Sequence, residues 1–269
     1  MDSFQTRTRV DQHTIAVKAL NYQTMAKGDI EVTPDWLRGV SGVQLPVFNI
    51  FQPLSDHGLT DDTLADTAAF FSSKQRLYAI ELIHDRFPEG PDFLDKRQYQ
   101  PLPPQPAMFL EAASLEILSL DKLSMNNAVQ FEAVTTVPSL TAFCDILHRV
   151  FGFTLSDMIT LFPVAQLQKD VRNKVRHYLA FVDEQPVGAG TIICLDGVVS
   201  LWNVCTLDQY RRQGIATTLV HQMLGDARRD GCDLMMLYST PHAYHLFSKF
   251  GFEMYTQRTL WQHQHERQT

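Results

Sequence analysis

Tyr210-Arg211-Arg212-Gln213-Gly214-Ile215-Ala216-Thr217-Thr218-Leu219-Val220 is a short basic turn, bearing one glycine, that opens straight into a helical pattern. Ahead of it, Val198-Val199-Ser200-Leu201-Trp202-Asn203-Val204-Cys205-Thr206 has the β-branched and apolar content of a strand. Strand, tight turn and helix start together present unpaired backbone N–H groups to an anion. Gly214 lets the backbone bend and approach a ligand, and Ala216 keeps the next position small. Arg211 and Arg212 add guanidinium donors suited to phosphate oxygens. The stretch reads as a pyrophosphate cradle and predicts a nucleotide-containing cofactor. The competing reading is an ordinary strand-to-helix turn with a solvated Arg pair.

Two other phosphate loops are excluded. No Gly-Lys-Ser or Gly-Lys-Thr follows the turn, and only one glycine of the dinucleotide fingerprint is present. The spacing that fits is Arg/Gln-x-x-Gly-x-Gly/Ala, filled by Arg211, Gly214 and Ala216. In this the chain resembles the GNAT superfamily of acyl-CoA N-acyltransferases. The resemblance implies that Arg211, Arg212, Gln213, Gly214, Ile215, Ala216 and Thr217 hold the pyrophosphate of acetyl-CoA.

The flanks extend the resemblance. Ile215, Leu219, Met223, Leu224 and Ala227 share one helix face. Arg228 and Arg229 suit the negative end of the helix dipole, and Asp230-Gly231 ends it. Cys232-Asp233-Leu234-Met235-Met236-Leu237-Tyr238 reads as a buried strand. Thr240-Pro241-His242-Ala243-Tyr244-His245-Leu246-Phe247-Ser248-Lys249-Phe250-Gly251-Phe252 looks like the family's second signature, a short helix ending in a Lys-x-Gly-Phe turn. The resemblance covers residues 129–261, about half the chain.

The 269 residues suffice for one large domain or two small ones, and a hydrophobic content of 45% supports a core. The net charge of −7, with no dense Lys/Arg run, argues against general nucleic-acid binding. It does not argue against coenzyme A, because the local Arg pair outweighs distant charge at physiological salt. Residues 1–14 are polar and lack the apolar core of a signal peptide, and no stretch has the length of a membrane span. Cys144, Cys194, Cys205 and Cys232 are scattered without metal spacing and read as reduced thiols of a cytoplasmic protein.

A weak internal repeat runs through the chain. Val47-Phe48-Asn49-Ile50-Phe51 is similar to Leu201-Trp202-Asn203-Val204-Cys205. Leu64, Ala65, Ala68 and Ala69 repeat the helical spacing of Leu219, Val220, Met223 and Leu224, and residues 77–83 supply a following strand. This resembles proteins with two tandem GNAT-like domains, the first degenerate. The expected fold is α/β (α+β): two GNAT-like domains, each a mixed, mostly antiparallel central sheet flanked by helices. The expected division is 1–126 and 127–269, at the polar stretch Ser124-Met125-Asn126-Asn127. In place of the basic turn, the first half has Ser55-Asp56-His57-Gly58-Leu59-Thr60-Asp61-Asp62. Asp61 and Asp62 are expected to cap their own helix and repel an anion there. Pro101-Leu102-Pro103-Pro104-Gln105-Pro106 reads as a rigid extended connection within the first domain, since a strand follows at 107–111. In the second half, strand 129–134, helices near 139–151 and 156–174, and a hairpin of strands 178–182 and 187–195 lead into the cradle strand.

Acyl transfer from a thioester to an amine needs a held cofactor, a polarised carbonyl, a neutral amine and a departing thiolate. The resemblance places Val204, Cys205 and Thr206 beside the pantetheine arm, with the Val204 N–H facing the thioester oxygen. That role requires the strand to splay from its neighbour. Many family members carry a Tyr general acid five residues before the Phe of Gly-Phe; here that position is Phe247, which has no proton to give and is left as a cofactor contact. Tyr244, near the same helix face, is the candidate replacement; the alternative is a buried ring with a surface hydroxyl. No carboxylate stands beside Val204, and Asp208, Asp233 and His221 suit solvated positions. His242 with His245, and His263 with His265, lack a third ligand, so no metal is expected. The leading reading is an N-acetyltransferase acting on a small-molecule or peptide amine in a ternary complex. The rival is a coenzyme A-binding module without turnover, acting through protein contacts. Acceptor identity and oligomeric state stay open.

Overall fold

The computed structural model describes residues 3–117, 125–126 and 128–263. Helix α1 (Ser3–Thr24) opens the chain, followed by β1 (Asp29–Val32), β2 (Trp36–Val40), β3 (Ile50–Pro53), α2 (Asp61–Ser73) and β4 (Ala79–Ile83). Then come α3 (Gly90–Asp95), β5 (Tyr99–Pro101), β6 (Gln105–Glu111) and α4 (Ala112–Ile117). The second half runs β7 (Gln130–Ala133), α5 (Val137–Phe151), α6 (Leu155–Leu161), α7 (Lys169–Arg172), β8 (Val175–Val182), β9 (Gln185–Leu195) and β10 (Val198–Thr206). It closes with α8 (Ile215–Arg229), β11 (Leu234–Tyr238), α9 (Tyr244–Lys249) and β12 (Glu253–His263).

Among the described residues the strands form one sheet in the order β1-β2-β3-β4-β12-β6-β11-β10-β9-β8-β7, with β5 paired to β12. Only β3·β4 and β10·β11 run parallel; the other pairs are antiparallel. This is the mixed, mostly antiparallel sheet expected, flanked by helices. Each parallel pair is joined through a helix, α2 in the first half and α8 in the second, so the repeat is real as a strand–helix–strand unit. Strands cross the expected boundary in both directions: β12 lies between β4 and β6, and β6 between β12 and β11. Ser124 and Asn127 of that boundary lie outside the described residues.

Several elements follow from local chemistry. The hydroxyls of Thr136 and Ser139 close a capping box at the start of α5, and Gly152 ends that helix at φ 76°. Asp183 and Glu184, at φ 49° and 62°, make the two-residue turn between β8 and β9, where Val182 pairs with Gln185. On α8, Leu219, Val220, Met223 and Ala227 are fully buried against the sheet. Each large apolar side chain so buried contributes roughly 1.5–3 kcal/mol.

Two expectations are corrected. The single helix at 156–174 is broken: α6 ends at Leu161, and Pro163 follows. A residue before proline is pushed out of the helical region, and Phe162 sits at φ −119°, ψ 69°. Val47 and Phe48 are not strand; Pro46–Phe48 is a 3-10 turn and β3 begins at Ile50. Asn49 is a buried latch there, accepting from the Ser41 N–H at 2.9 Å and donating to the carbonyls of Val43 and Leu77 at 3.0 and 2.9 Å. The polar start of the chain is α1, which hydropathy conceals because its buried face mixes Val10 and Val17 with Thr6, His13, Thr14 and Lys18.

Candidate active site

The turn into α8 has the backbone the sequence required. Gly214 is the helix N-cap at φ 78°, and Arg212 precedes it at φ 63°. No side chain caps the helix. The N–H groups of Arg212, Gln213, Gly214, Ile215, Ala216 and Thr217 have no hydrogen-bond acceptor among the described residues; the next, Thr218, bonds to the Gly214 carbonyl at 2.9 Å. Six successive donors without an acceptor among the described residues stand at the positive end of a 15-residue helix, the arrangement that favours an anion. Arg211, Arg212 and Gln213 are exposed, and Ile215 is buried below them. Arg211 pairs with Asp208 at 2.7 Å, an exposed contact that a phosphate can replace.

Asn126 braces this turn, and sequence reading had given it no such role. Its Nδ2 donates to the Gln213 carbonyl at 3.0 Å, and its backbone N–H to Thr218 Oγ1 at 2.9 Å.

The corresponding helix in the first half is capped by its own side chains. Thr60 caps α2: its Oγ1 accepts from the Thr63 N–H at 3.2 Å, and the Thr63 hydroxyl accepts from the Thr60 N–H at 2.9 Å. Thr60, rather than Asp61 or Asp62, is therefore the cap, because hydroxyls three residues apart reach both orphan donors. Asp61 instead pairs with Arg97 at 2.5 Å.

Strand β10 splays as required. It pairs with β11 from Val198 to Leu201 and no further. On its other side the register passes from Trp202↔Thr191 to Cys205↔Ala189, so Asn203 and Val204 face the single residue Gly190 in a bulge. Asn203 sits at φ 57°. The segment from Val204 to Thr206 is thus free of β11 and leads into the cradle. Val204 is half-buried; burial pushes the Cys205 thiol up to about 12, which makes it inert core. Thr206 Oγ1 is buried without a hydrogen-bond partner.

Helix α9 lies over the same cluster of apolar side chains. Phe247 is 5% exposed and meets Phe252 edge-on at 5.8 Å, while Tyr244 and Val204 are partly buried against that cluster. Val204, Tyr244 and Phe247 belong to one apolar cluster. Asp208 and Asp233 lie outside it; both are exposed, paired with Arg211 and Arg9. His221 is half-buried on α8, and His242 and His245 are exposed. No group of three His, Cys, Asp or Glu residues capable of holding a metal occurs among the described residues. His265 lies outside them.

Where the two halves meet, a cavity of about 300 Å³ reaches Trp202 and Asn203 of the bulge. Its walls include Phe48, Phe153 and Phe162. Its polar residues come from both halves: Lys18 and Glu81 from the first, His177 and Arg258 from the second. Glu81, 1% exposed, accepts from Lys18 at 2.7 Å and from Arg258 at 3.2 Å. Burial raises the carboxyl's pKa, but the two cations outweigh it and hold the group below its ordinary value. Gln166 donates to the Leu161 carbonyl, so its Oε1 accepts from His177 Nε2 at 2.9 Å. His177 Nδ1 then accepts from Thr191, whose oxygen receives the Asn203 amide. Burial lowers the His177 pKa to about 3, and the ring is neutral.

The sequence pattern of the Acetyltransferase (GNAT) family matches residues 142–252, a span that holds the bulge, the cradle and α9. This segment is a GNAT domain.

Solved structures extend the likeness over nearly the whole chain. A GCN5-related N-acetyltransferase from Kribbella flavida superposes with a TM-score of 0.70 at 16% identity, covering 93% of this chain and 95% of that one. A tandem GNAT protein of the clavulanic acid biosynthesis pathway gives 0.62 at 10% identity, over 91% and 86%. A GCN5-related N-acetyltransferase from Sphaerobacter thermophilus gives 0.57 at 15%, over 86% and 81%. At these identities the likeness is one of fold, and it takes in the half of the chain before the GNAT domain. No curated protein matches the sequence. The matched segment holds the amides without an acceptor among the described residues and the two exposed guanidinium groups of Arg211 and Arg212.

Proposed function

We propose that the chain is an N-acyltransferase that moves an acetyl group from acetyl-CoA to an amine in a ternary complex. The observation that carries this reading is the run of six amides at 212–217 with no acceptor among the described residues, after a strand that has parted from β11. Arg211 and Arg212, with these amides, would hold the two phosphates. The thioester supplies the activated acetyl group. Val204, in the bulge, offers its N–H to the carbonyl oxygen, where charge develops as the amine attacks. Tyr244 is assigned as the proton donor to the departing thiolate, since Phe247 at the family's position is a core ring. The amine reaches the bulge through the cavity between the halves, so the first half forms one wall of the acceptor site. His177 Nδ1 already accepts from Thr191, and Lys18 and Arg258 hold the Glu81 carboxyl below its ordinary pKa, so the amine arrives neutral or loses its proton to water. The division at 1–126 and 127–269 assigns cofactor binding to the second half alone. Four free thiols suit a reducing, cytoplasmic setting.

Titration calorimetry with acetyl-CoA is the decisive experiment. Binding at micromolar ligand supports the reading, and silence at high micromolar ligand rejects it. A second reading, a coenzyme A-binding module without turnover, is favoured by the burial of Phe247 in place of a phenol. Tight acetyl-CoA binding with no acetylation across a panel of primary amines would select it.

A further inference from the structure

We propose that the acceptor bears a carboxylate, seated at Lys18 and Arg258 in the cavity between the halves, with an apolar body against Phe48, Phe153 and Phe162. The inference rests on the acetyltransferase reading and names the class of acceptor for it.

The charge count comes first. The charged residues lining the cavity are Lys18, Arg258 and Glu81, which leaves one positive charge in excess while Lys18 keeps its proton; burial and Arg258 lower the Lys18 pKa, and Glu81 opposes them. These groups are withdrawn from water: the side chains are 8%, 13% and 1% exposed. An uncompensated buried charge is costly, and one bound anion removes that cost.

The donor count agrees. Lys18 has three N–H donors and uses two, to Gln52 at 2.5 Å and Glu81 at 2.7 Å. Arg258 uses Nε on Gln105 at 2.8 Å and Nη1 on Glu81 at 3.2 Å and lies over the Tyr238 ring at 3.7 Å, and its Nη2 has no acceptor among the described residues. Each Glu81 oxygen accepts from one of these same two cations. The cavity end therefore sets two cations with spare donors against one ion-paired carboxylate, which favours a group that only accepts. A carboxylate matches the single excess charge, whereas a phosphate monoester, close to −2, would leave a buried negative charge.

The walls set the remainder. Phe48 and Phe153 meet edge-on at 5.1 Å, and Phe162 lies on the same cavity, so the middle of the site is aromatic. Asn203, beside the bulge, marks the end where an amine meets the thioester. An α-amino acid with an aromatic or aliphatic side chain has these three parts.

The test uses two probes that carry no amine and cannot react: 3-phenylpropionate and its neutral amide, each titrated into the full-length protein by calorimetry. The carboxylate is expected to bind at least tenfold tighter than the amide. Arg258→Gln, which leaves Lys18 and Glu81 as a neutral pair, should erase the difference and leave acetyl-CoA affinity unchanged. Equal binding of the two probes to the wild type, or binding of neither, overturns the proposal. The wild-type comparison stands even if the variant misfolds. Acetyl-CoA titrated into the same sample separates the two readings: its failure alone sinks the acetyltransferase reading, and failure of carboxylate discrimination alone sinks the acceptor assignment.

Discussion

Gly214 and Thr60 cap the two equivalent helices of this protein in opposite ways. Gly214 has no side chain to offer and leaves the amides of its helix start without an acceptor among the described residues; Thr60 caps its own start with a hydroxyl. One helix start lacks a side-chain cap and the other has one, followed by two carboxylates. The difference lies in side chains on a shared strand–helix–strand frame.

The first prediction concerns that asymmetry. Arg211→Glu places a carboxylate beside the uncapped amides and should weaken acetyl-CoA binding by about tenfold or more. Asp61→Lys acts at the capped helix and should leave the affinity within about twofold. Calorimetric titration of both variants decides it; equal losses would refute the assignment of the two halves.

Tyr244 stands on its own as a chemical assignment. Removal of its hydroxyl in Tyr244→Phe should lower kcat by about tenfold or more while the KM for acetyl-CoA stays near the wild-type value. An unchanged kcat, with pH profile intact, would leave Tyr244 as a packing residue only.

Glu81 holds two buried cations together across the halves. Glu81→Leu leaves Lys18 and Arg258 without their shared anion and should cost about 3–5 kcal/mol in urea unfolding. Adding Lys18→Met removes one orphaned charge and should restore part of the loss. A single-variant cost below about 1 kcal/mol would show that the ion cluster does not bind the halves.

Acid sensitivity follows from two buried histidines. Burial holds His13 at about 4 and His177 at about 3, both below the ordinary 6.5. The unfolded chain then binds more protons than the folded one between those values. The stability is complete above about pH 6.5 and is lost as pH falls toward the folded values, by up to roughly 1.4 kcal/mol per pH unit for each ring. Urea midpoints at pH 7.5, 6.5 and 5.5 measure this, and His177→Gln should flatten the profile. The same slope in wild type and variant would count against a neutral His177.

Much of this protein is written locally. A glycine that alone suits φ 78°, the face shared by Leu219, Met223 and Ala227, and the turn at Asp183-Glu184 all depend on neighbours a few residues apart. The cradle and its helix were therefore legible in the sequence, as was the degeneration of the first half. Helix α1 was not, because its buried polar residues find their partners far along the chain, His13 at Ser200 and Lys18 at Glu81. The bracing of Gln213 by Asn126 and the crossing of β6 and β12 between the halves were equally invisible. Strand partners are chosen by backbone pairing and by the fit of a shared apolar layer, neither of which leaves a short-range pattern. The cavity owes its three ions to that crossing, since Arg258 rides on β12 to meet a carboxylate of β4. Sequence alone determined the turn and helix start around Gly214; only the tertiary structure decided the charged cavity, because it is assembled from residues 18, 81 and 258, which meet only when the sheet closes.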